Sequence, residues 1–316
     1  METVSLGRTG LRATIAGLGC GGHSRIGFAT HGQDHAAGIV RAAYDAGVNF
    51  FDTAVAYGTE GAVGQGLAGL PRESYILSTK YPYARDPDWR KNGAAALTRS
   101  LDESLRALRA DYIDIYHLHG LSPEDYADAR DVFLPAMRKA KEQGKIRFPG
   151  VTEVFALDTS HKMLQAALPE DHFDVIMTGY NILNPSAAKT VLKLTTARGT
   201  GVLCMFAVRS ALSDPAQLKI DIGRILERGQ AGEGLSPAED ALDFLTSGET
   251  PAASTVMEAA YRFCRHTPGI HVTLTGTGNP GHLRDNLRSI AQPPLPPGIL
   301  ARLEALFGRV DCISGQ

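Results

Sequence analysis

The stretch Phe50-Phe51-Asp52-Thr53-Ala54-Val55-Ala56-Tyr57-Gly58 decides the fold. Val48, Phe50 and Phe51 are apolar and favour a strand. The small residues and Tyr-Gly that follow read as a loop. Asp52 therefore falls where the strand gives out, with Tyr57 just beyond it. A carboxylate at a strand end with a phenol just after it is an unusual pair in an apolar setting. Tyr75-Ile76-Leu77-Ser78-Thr79-Lys80 is an apolar run that stops at a lysine, and Tyr112-Ile113-Asp114-Ile115-Tyr116-His117-Leu118-His119-Gly120 stops at a histidine and a glycine. In a parallel sheet closed by helices the strand ends share one rim, so Asp52, Tyr57, Lys80 and His119 should converge. A single strand-end lysine is commonly structural or exposed. Three successive strands ending in Asp, Lys and His, with Tyr beside the first, is a far more specific pattern.

Outward from this stretch the chain alternates strands and helices. Residues 3–16 read as a hairpin turning at Arg8-Thr9-Gly10, and residues 15–22 as a first strand running into glycines. Asp34 is read as the cap of a helix that Gly47 ends. A short helix covers 60–68, and a loop carrying Tyr81, Tyr83 and Trp89 follows Lys80. Leu97, Leu101, Leu105 and Leu108 mark one helical face. Ser122-Pro123 is read as a helix start, leading to the face Phe133, Leu134, Met137 and Ala140. Strand five, 145–151, contains Pro149 and should be distorted there. A helix near 158–167, a strand over 174–178, a helix over 186–198 and a strand over 202–206 continue the alternation. Residues 207–253 hold no strand but two helices, near 216–228 and 238–245; an excursion of that length at the rim should be a lid or a pocket wall. Thr255 and Glu258 suit a capping box. Strand eight is 271–274, Asn279-Pro280 starts the eighth helix, and a proline-rich link leads to a last helix near 298–309. The fold expected is α/β: one (β/α)8 TIM barrel over residues 1–316, with an N-terminal β-hairpin and a long excursion between strand seven and helix seven. An open doubly wound sheet is the rival, and the absence of a GxGxxG turn after strand one argues against it.

Composition removes other classes. The 316 residues exceed the about 250 that such a barrel commonly takes. A net charge of -2 favours neither nucleic acid nor a membrane surface. Cys20, Cys204, Cys264 and Cys312 form no CxxC pair, so no zinc site or disulfide framework is expected. The N-terminus lacks the pattern of a signal peptide and no apolar run reaches a membrane span, which fits a cytoplasmic location.

The stretch Phe50–Gly58 resembles the Asp-x-Ala-x-x-Tyr-Gly signature of the aldo-keto reductases, and the resemblance extends over nearly the whole chain. It implies hydride transfer between a nicotinamide cofactor and a small carbonyl or alcohol substrate. It further implies Tyr57 as general acid, Lys80 favouring the phenolate, Asp52 paired with Lys80, and His119 holding the carbonyl oxygen. The family's hairpin closes the bottom of the barrel. Thr275 to Asn286 resembles its adenosine-phosphate loop, which implies Gly276, Thr277, Gly278, His282, Asp285 and Asn286 as cofactor contacts. Gly19, Cys20 and Asp52 on the first strands, and Arg209 on the rim, complete that list. Gly278 and His282 stand where lysine or arginine is often found, Thr152-Glu153 where Ser-Asn is usual, and Met177 where a Gln is common. Either Met205 or Phe206 takes the place of the aromatic under the nicotinamide. The implied cofactor is NADP(H), with NAD(H) possible and little discrimination expected. Tyr81, Tyr83, Trp89 and the 207–253 excursion are expected to line a pocket for an apolar or ring-shaped carbonyl.

His117 lies on the same strand face as His119. It is read either as a neutral core histidine or as a group tuning the Lys80–Asp52 pair. An HxH at a strand end also suits metal hydrolase barrels, but those need further ligands at other strand ends, so no metal is expected. Two other functions remain open: a cofactor-binding sensor or regulatory barrel with little turnover, and an isomerase or lyase using the same acid–base set. Oligomeric state is not readable.

Overall fold

The computed structural model describes residues 1–85, 87–236 and 241–316. Strands β1 (Thr3–Ser5) and β2 (Arg12–Thr14) form an antiparallel hairpin, turning through Gly10 at φ 74°. Eight strands follow: β3 (Ala16–Gly19), β4 (Phe50–Asp52), β5 (Ile76–Tyr81), β6 (Ile113–Leu121), β7 (Ile146–Glu153), β8 (Val175–Gly179), β9 (Gly201–Met205) and β10 (Val272–Thr275). They pair in parallel and in sequence order, and β10 returns to β3 through Thr273↔Ala16 to Thr275↔Leu18, closing the barrel. The expected (β/α)8 architecture is present. Its helices are α1 (Phe28–Asp45), α2 (Glu60–Gly66), α3 (Trp89–Leu108), α4 (Tyr126–Glu142), α5 (Lys162–Ala167), α6 (Ala187–Thr190) and α7 (Leu192–Arg198). Then come α8 (Ser210–Ser213), α9 (Pro215–Glu227), α10 (Val256–Arg265), α11 (Pro280–Ile290) and α12 (Pro297–Phe307). No described helix is long and apolar enough to cross a membrane.

Strand alternation positions the site. Phe50, Ile76, Ile115, Val175, Leu203 and Val272 fill the barrel interior, with Leu6, Leu11 and Ala13 of the hairpin packed into the same cluster. Two residues further along each strand the same inward face carries Asp52, Ser78, His117, Gly150, Met177 and Met205, and two further still Lys80 and His119. The opposite face, including Leu18, Phe51, Leu77 and Val151, packs under the helices.

Several local expectations need correction. The first helix is broken at Gly32 (φ 81°, ψ -175°), and Asp34 accepts from the Gln65 side chain instead of capping. Ser122 and Asp125 exchange hydrogen bonds in a turn, so α4 starts only at Tyr126. The β6–β7 ladder passes Pro149 undisturbed, and its register shift lies between Leu118 and Leu121. The Pro149 carbonyl accepts from Asp174 on the β8 side, so its missing N–H faces an edge where pairing begins only at Gly150. Thr255 caps α10 by accepting from the Glu258 amide, but the Glu258 carboxylate accepts from Ser254, one residue before the cap. Of the helix read at 238–245, residues 238–240 lie outside the described residues and Asp243–Leu245 is a single 3-10 turn. The excursion is mostly not a lid: Leu218, Ile222, Ile225 and Leu245 pack in a second cluster with Leu303 and Phe307 of α12.

Candidate active site

Asp52 ends β4, Lys80 lies near the end of β5 and His119 near the end of β6, while Tyr57 follows in a 3-10 turn over Val55–Tyr57. The Lys80 ammonium, fully buried, donates 2.6 Å hydrogen bonds to Asp52 Oδ2 and to the Thr53 carbonyl. It lies 5.0 Å from the centre of the Tyr57 ring. The Tyr57 hydroxyl is 3.3 Å from His119 Nε2, with the two rings edge to face. Ser78 donates to Asp52 Oδ1 at 2.7 Å, and His117 Nε2 is 3.1 Å from the same Ser78 oxygen. Since the only Ser78 proton goes to Asp52, His117 must be the donor of the second bond. Its Nδ1 then has no proton, and makes no hydrogen bond. Sequence reasoning missed Ser78, although the spacing of two that pairs His117 with His119 also pairs Ser78 with Lys80.

Burial governs the charges. It pulls the Lys80 ammonium down, but Asp52 and Tyr57 outweigh it and hold the pKa above that of an ordinary lysine. Burial raises Asp52, opposed by Lys80 and by Ser78. His119 is pushed down to about 3 by burial and by the charges of Lys80 and Arg85, so it is neutral. Burial, Lys80 and His119 likewise hold His117 well below the usual histidine range. Tyr57 departs from expectation: Lys80 favours its phenolate, but burial dominates and its pKa is raised.

Asp52 and Tyr57 open on a cavity of about 740 Å³ that runs to the start of α11. Gly19, Met177, Met205, Phe206, Arg209, Gly276, Thr277, His282, Asp285 and Asn286 line it as well. Both Met205 and Phe206 reach it because Phe206, at φ 67°, breaks the alternation. Gly21, on the first strand's loop, lies flat on the Tyr57 ring, where a Cβ would come within 2.7 Å of ring atoms. Cys20, Thr152, Glu153 and Gly278 are not among the lining residues. Cys20 and Glu153 sit on the outward strand face, where Glu153 accepts from Thr178 and the Gly179 amide and pairs with buried His161. Thr152 accepts from the Gly120 amide, and Gly278 is pressed against Gly27. Tyr81, Tyr83 and Trp89, expected in the pocket wall, are instead buried with Phe133 in the outer core. Of the excursion, its beginning at residues 207–213 borders the cavity. Among the described residues no group of three His, Cys, Asp or Glu could hold a metal ion.

A closed parallel barrel with proton-handling groups on one rim and a long cavity beside them is the build of a barrel enzyme. The model of the aldo/keto reductase family matches residues 19–307, and the chain belongs to that family of oxidoreductases. L-galactose dehydrogenase of Arabidopsis thaliana is 34% identical over 210 residues, and the match spans 64% of each chain, under two thirds of either. The aldo-keto reductase YhdN of Bacillus subtilis is 29% identical over 311 residues, covering 90% of this chain and 87% of that one. Among solved structures, the holo form of aldo-keto reductase AKR11C1 from Bacillus halodurans has a TM-score of 0.73 at 22% identity, covering 99% of this chain and 98% of that one. An aldo/keto reductase from Klebsiella pneumoniae, solved in complex with NADP and acetate, has a TM-score of 0.67 at 21% identity, covering 99% and 97%. These structural likenesses speak for the fold.

Proposed function

We propose that the chain is an NAD(P)(H)-dependent reductase or dehydrogenase of small carbonyls and alcohols, with Tyr57 as its general acid and base. The observation that carries this reading is the Tyr57 hydroxyl, 3.3 Å from neutral His119, beside the Lys80 ammonium and open to the cavity. The bound dinucleotide would supply the hydride. Charge then builds on the carbonyl oxygen, and Tyr57 stands where it can deliver the balancing proton. His119, kept neutral, can hold that oxygen by a hydrogen bond without competing for the proton. Lys80 stays charged through Asp52, and its positive field lowers the cost of the tyrosinate left behind.

The cavity fits a dinucleotide because it is continuous from Asp52 and Tyr57 to α11. Met177, Met205 and Phe206 would hold the nicotinamide end, and Gly276, Thr277, His282, Asp285 and Asn286 the adenosine end. Donors for a phosphate are limited. Asn279 already accepts from the Gly281 and His282 amides at the start of α11, and Arg288, which lines the cavity, has Asp285 3.7 Å away. A 2′-phosphate needs cations around it. NADP(H) is therefore expected to win over NAD(H) by no more than about tenfold. Titrating the protein with NADPH and NADH, and following oxidation of the bound cofactor by a panel of aldehydes, tests the reading. Absence of binding by either cofactor would overturn it. Binding without turnover would favour the sensor reading, for which Met177 in place of a polar nicotinamide contact is the supporting observation.

A further inference from the structure

Arg209 is the charged group that the proposed reaction leaves without a task. It follows β9, lines the cavity, and lays its guanidinium 4.0 Å over the ring of Phe206. Its Nε is buried and makes no hydrogen bond. Among the described residues no carboxylate lies within salt-bridge distance of it, whereas the acidic groups of the cavity are taken: Asp52 by Lys80, Glu258 by Arg262, Asp285 by Arg288. A half-buried guanidinium without an anion is costly, and one stacked ring offsets only part of that cost. Stacking also fixes the plane of the fork, and among the described residues the Arg209 side chain donates no hydrogen bond, an arrangement suited to a carboxylate held by two parallel bonds. One end of the fork, Nη1, borders Gly22, where a Cβ would be 3.4 Å away, and the adjacent Gly21 lies on the Tyr57 ring. Two side-chain-free residues thus separate Arg209 from Tyr57, and the Arg209 charge favours the Tyr57 phenolate.

We propose that Arg209 seats a carboxylate carried by the substrate itself, so that the preferred substrates are short aldehydes or ketones bearing an acid group, with the carbonyl oxygen at Tyr57 and the carboxylate at Arg209. This rests on the reductase reading. Reduction balances as carbonyl plus NAD(P)H plus one proton giving the hydroxy acid and NAD(P)⁺; the carboxylate is unchanged.

The test compares aldehydes carrying a terminal carboxylate, over a series of chain lengths, with alkanals of matched length, in wild type, Arg209→Gln and Arg209→Lys. The acid series should be preferred by wild type. Arg209→Gln should lower its kcat/KM by ~10–100-fold more than that of the alkanals, the worth of a charge-assisted pair, so that the preference for the acid series is lost. Arg209→Lys should recover part of the loss. Calorimetric titration of the cofactor-free protein with the corresponding hydroxy acids gives a readout without turnover: heat in wild type and none in Arg209→Gln. Equal use of both series by wild type, or no heat with any acid, overturns the proposal. So does an Arg209→Gln variant in which NADPH and NADH bind about tenfold more weakly while the substrate preference is kept, since Arg209 would then serve the cofactor's phosphates. Failure of both cofactors to bind, with the acids still binding at Arg209, would instead sink the reductase reading.

Discussion

At the scale of single residues, Tyr57 and His117 make opposite kinds of prediction. Tyr57→Phe deletes a proton donor and little else, so it should cut carbonyl reduction by ~10²–10⁴ while NADPH affinity, read by fluorescence titration, stays close to wild type. Retention of more than about half of kcat in a chemistry-limited assay would remove Tyr57 from the role. Because burial raises the Tyr57 pKa, the acid form persists above neutrality, and reduction should hold its rate well into the alkaline range while alcohol oxidation climbs with pH. His117 touches none of these atoms. It is linked by hydrogen bonds through Ser78 to Asp52, and so to Lys80. His117→Leu removes the donor to Ser78 and should displace the apparent pKa of the kcat/KM profile; a folded, active variant with an unmoved profile would make His117 a packing residue only.

At the scale of the strand, what matters is which face a residue occupies. Gly150 of β7 lies opposite His117 of β6 in the ladder, and a Cβ there would run into the imidazole. Gly150→Ala should therefore cost about 1–3 kcal/mol in urea unfolding, as overpacking of a filled core does. Combined with His117→Ala the cost should be clearly sub-additive, since the smaller side chain vacates the space; strict additivity would show that the two do not compete for it. The same alternation explains why Thr152 and Glu153, adjacent on β7, part company: Glu153 falls on the helix side, beyond reach of the cavity and in hydrogen-bonding contact with buried His161.

At the scale of the whole molecule, the barrel keeps two histidines neutral in its interior, His119 at about 3 and His117 well below its ordinary range. The unfolded chain protonates both near pH 6.5, while the folded chain does not. The folded state therefore binds fewer protons and loses stability as pH falls below about 6.5, by about 1.4 kcal/mol per pH unit for each histidine. Melting temperatures measured between pH 7 and 5 should fall, and fall less in a His117→Gln, His119→Gln double variant. Equal slopes in both proteins would mean that these side chains are not held neutral by the fold.

By itself the sequence determined the eightfold alternation and the gathering of Asp52, Tyr57, Lys80 and His119, because strand ends in a closed parallel barrel share one rim and period-two alternation sets the face of every residue. Runs ending in Asp, Lys and His carry that information locally. Tertiary structure alone decided what depends on contacts between distant segments. It placed Tyr83 and Trp89 against Phe133 and out of the pocket, because an aromatic is drawn to whichever apolar surface can enclose it. It folded most of the excursion down onto α12. It set burial above the Lys80 charge in fixing the acidity of Tyr57, a balance that turns on solvent access and not on residue type. And it left Arg209 stacked on Phe206 with no counter-charge among the described residues, visible only once the neighbours that could have paired with it are in place.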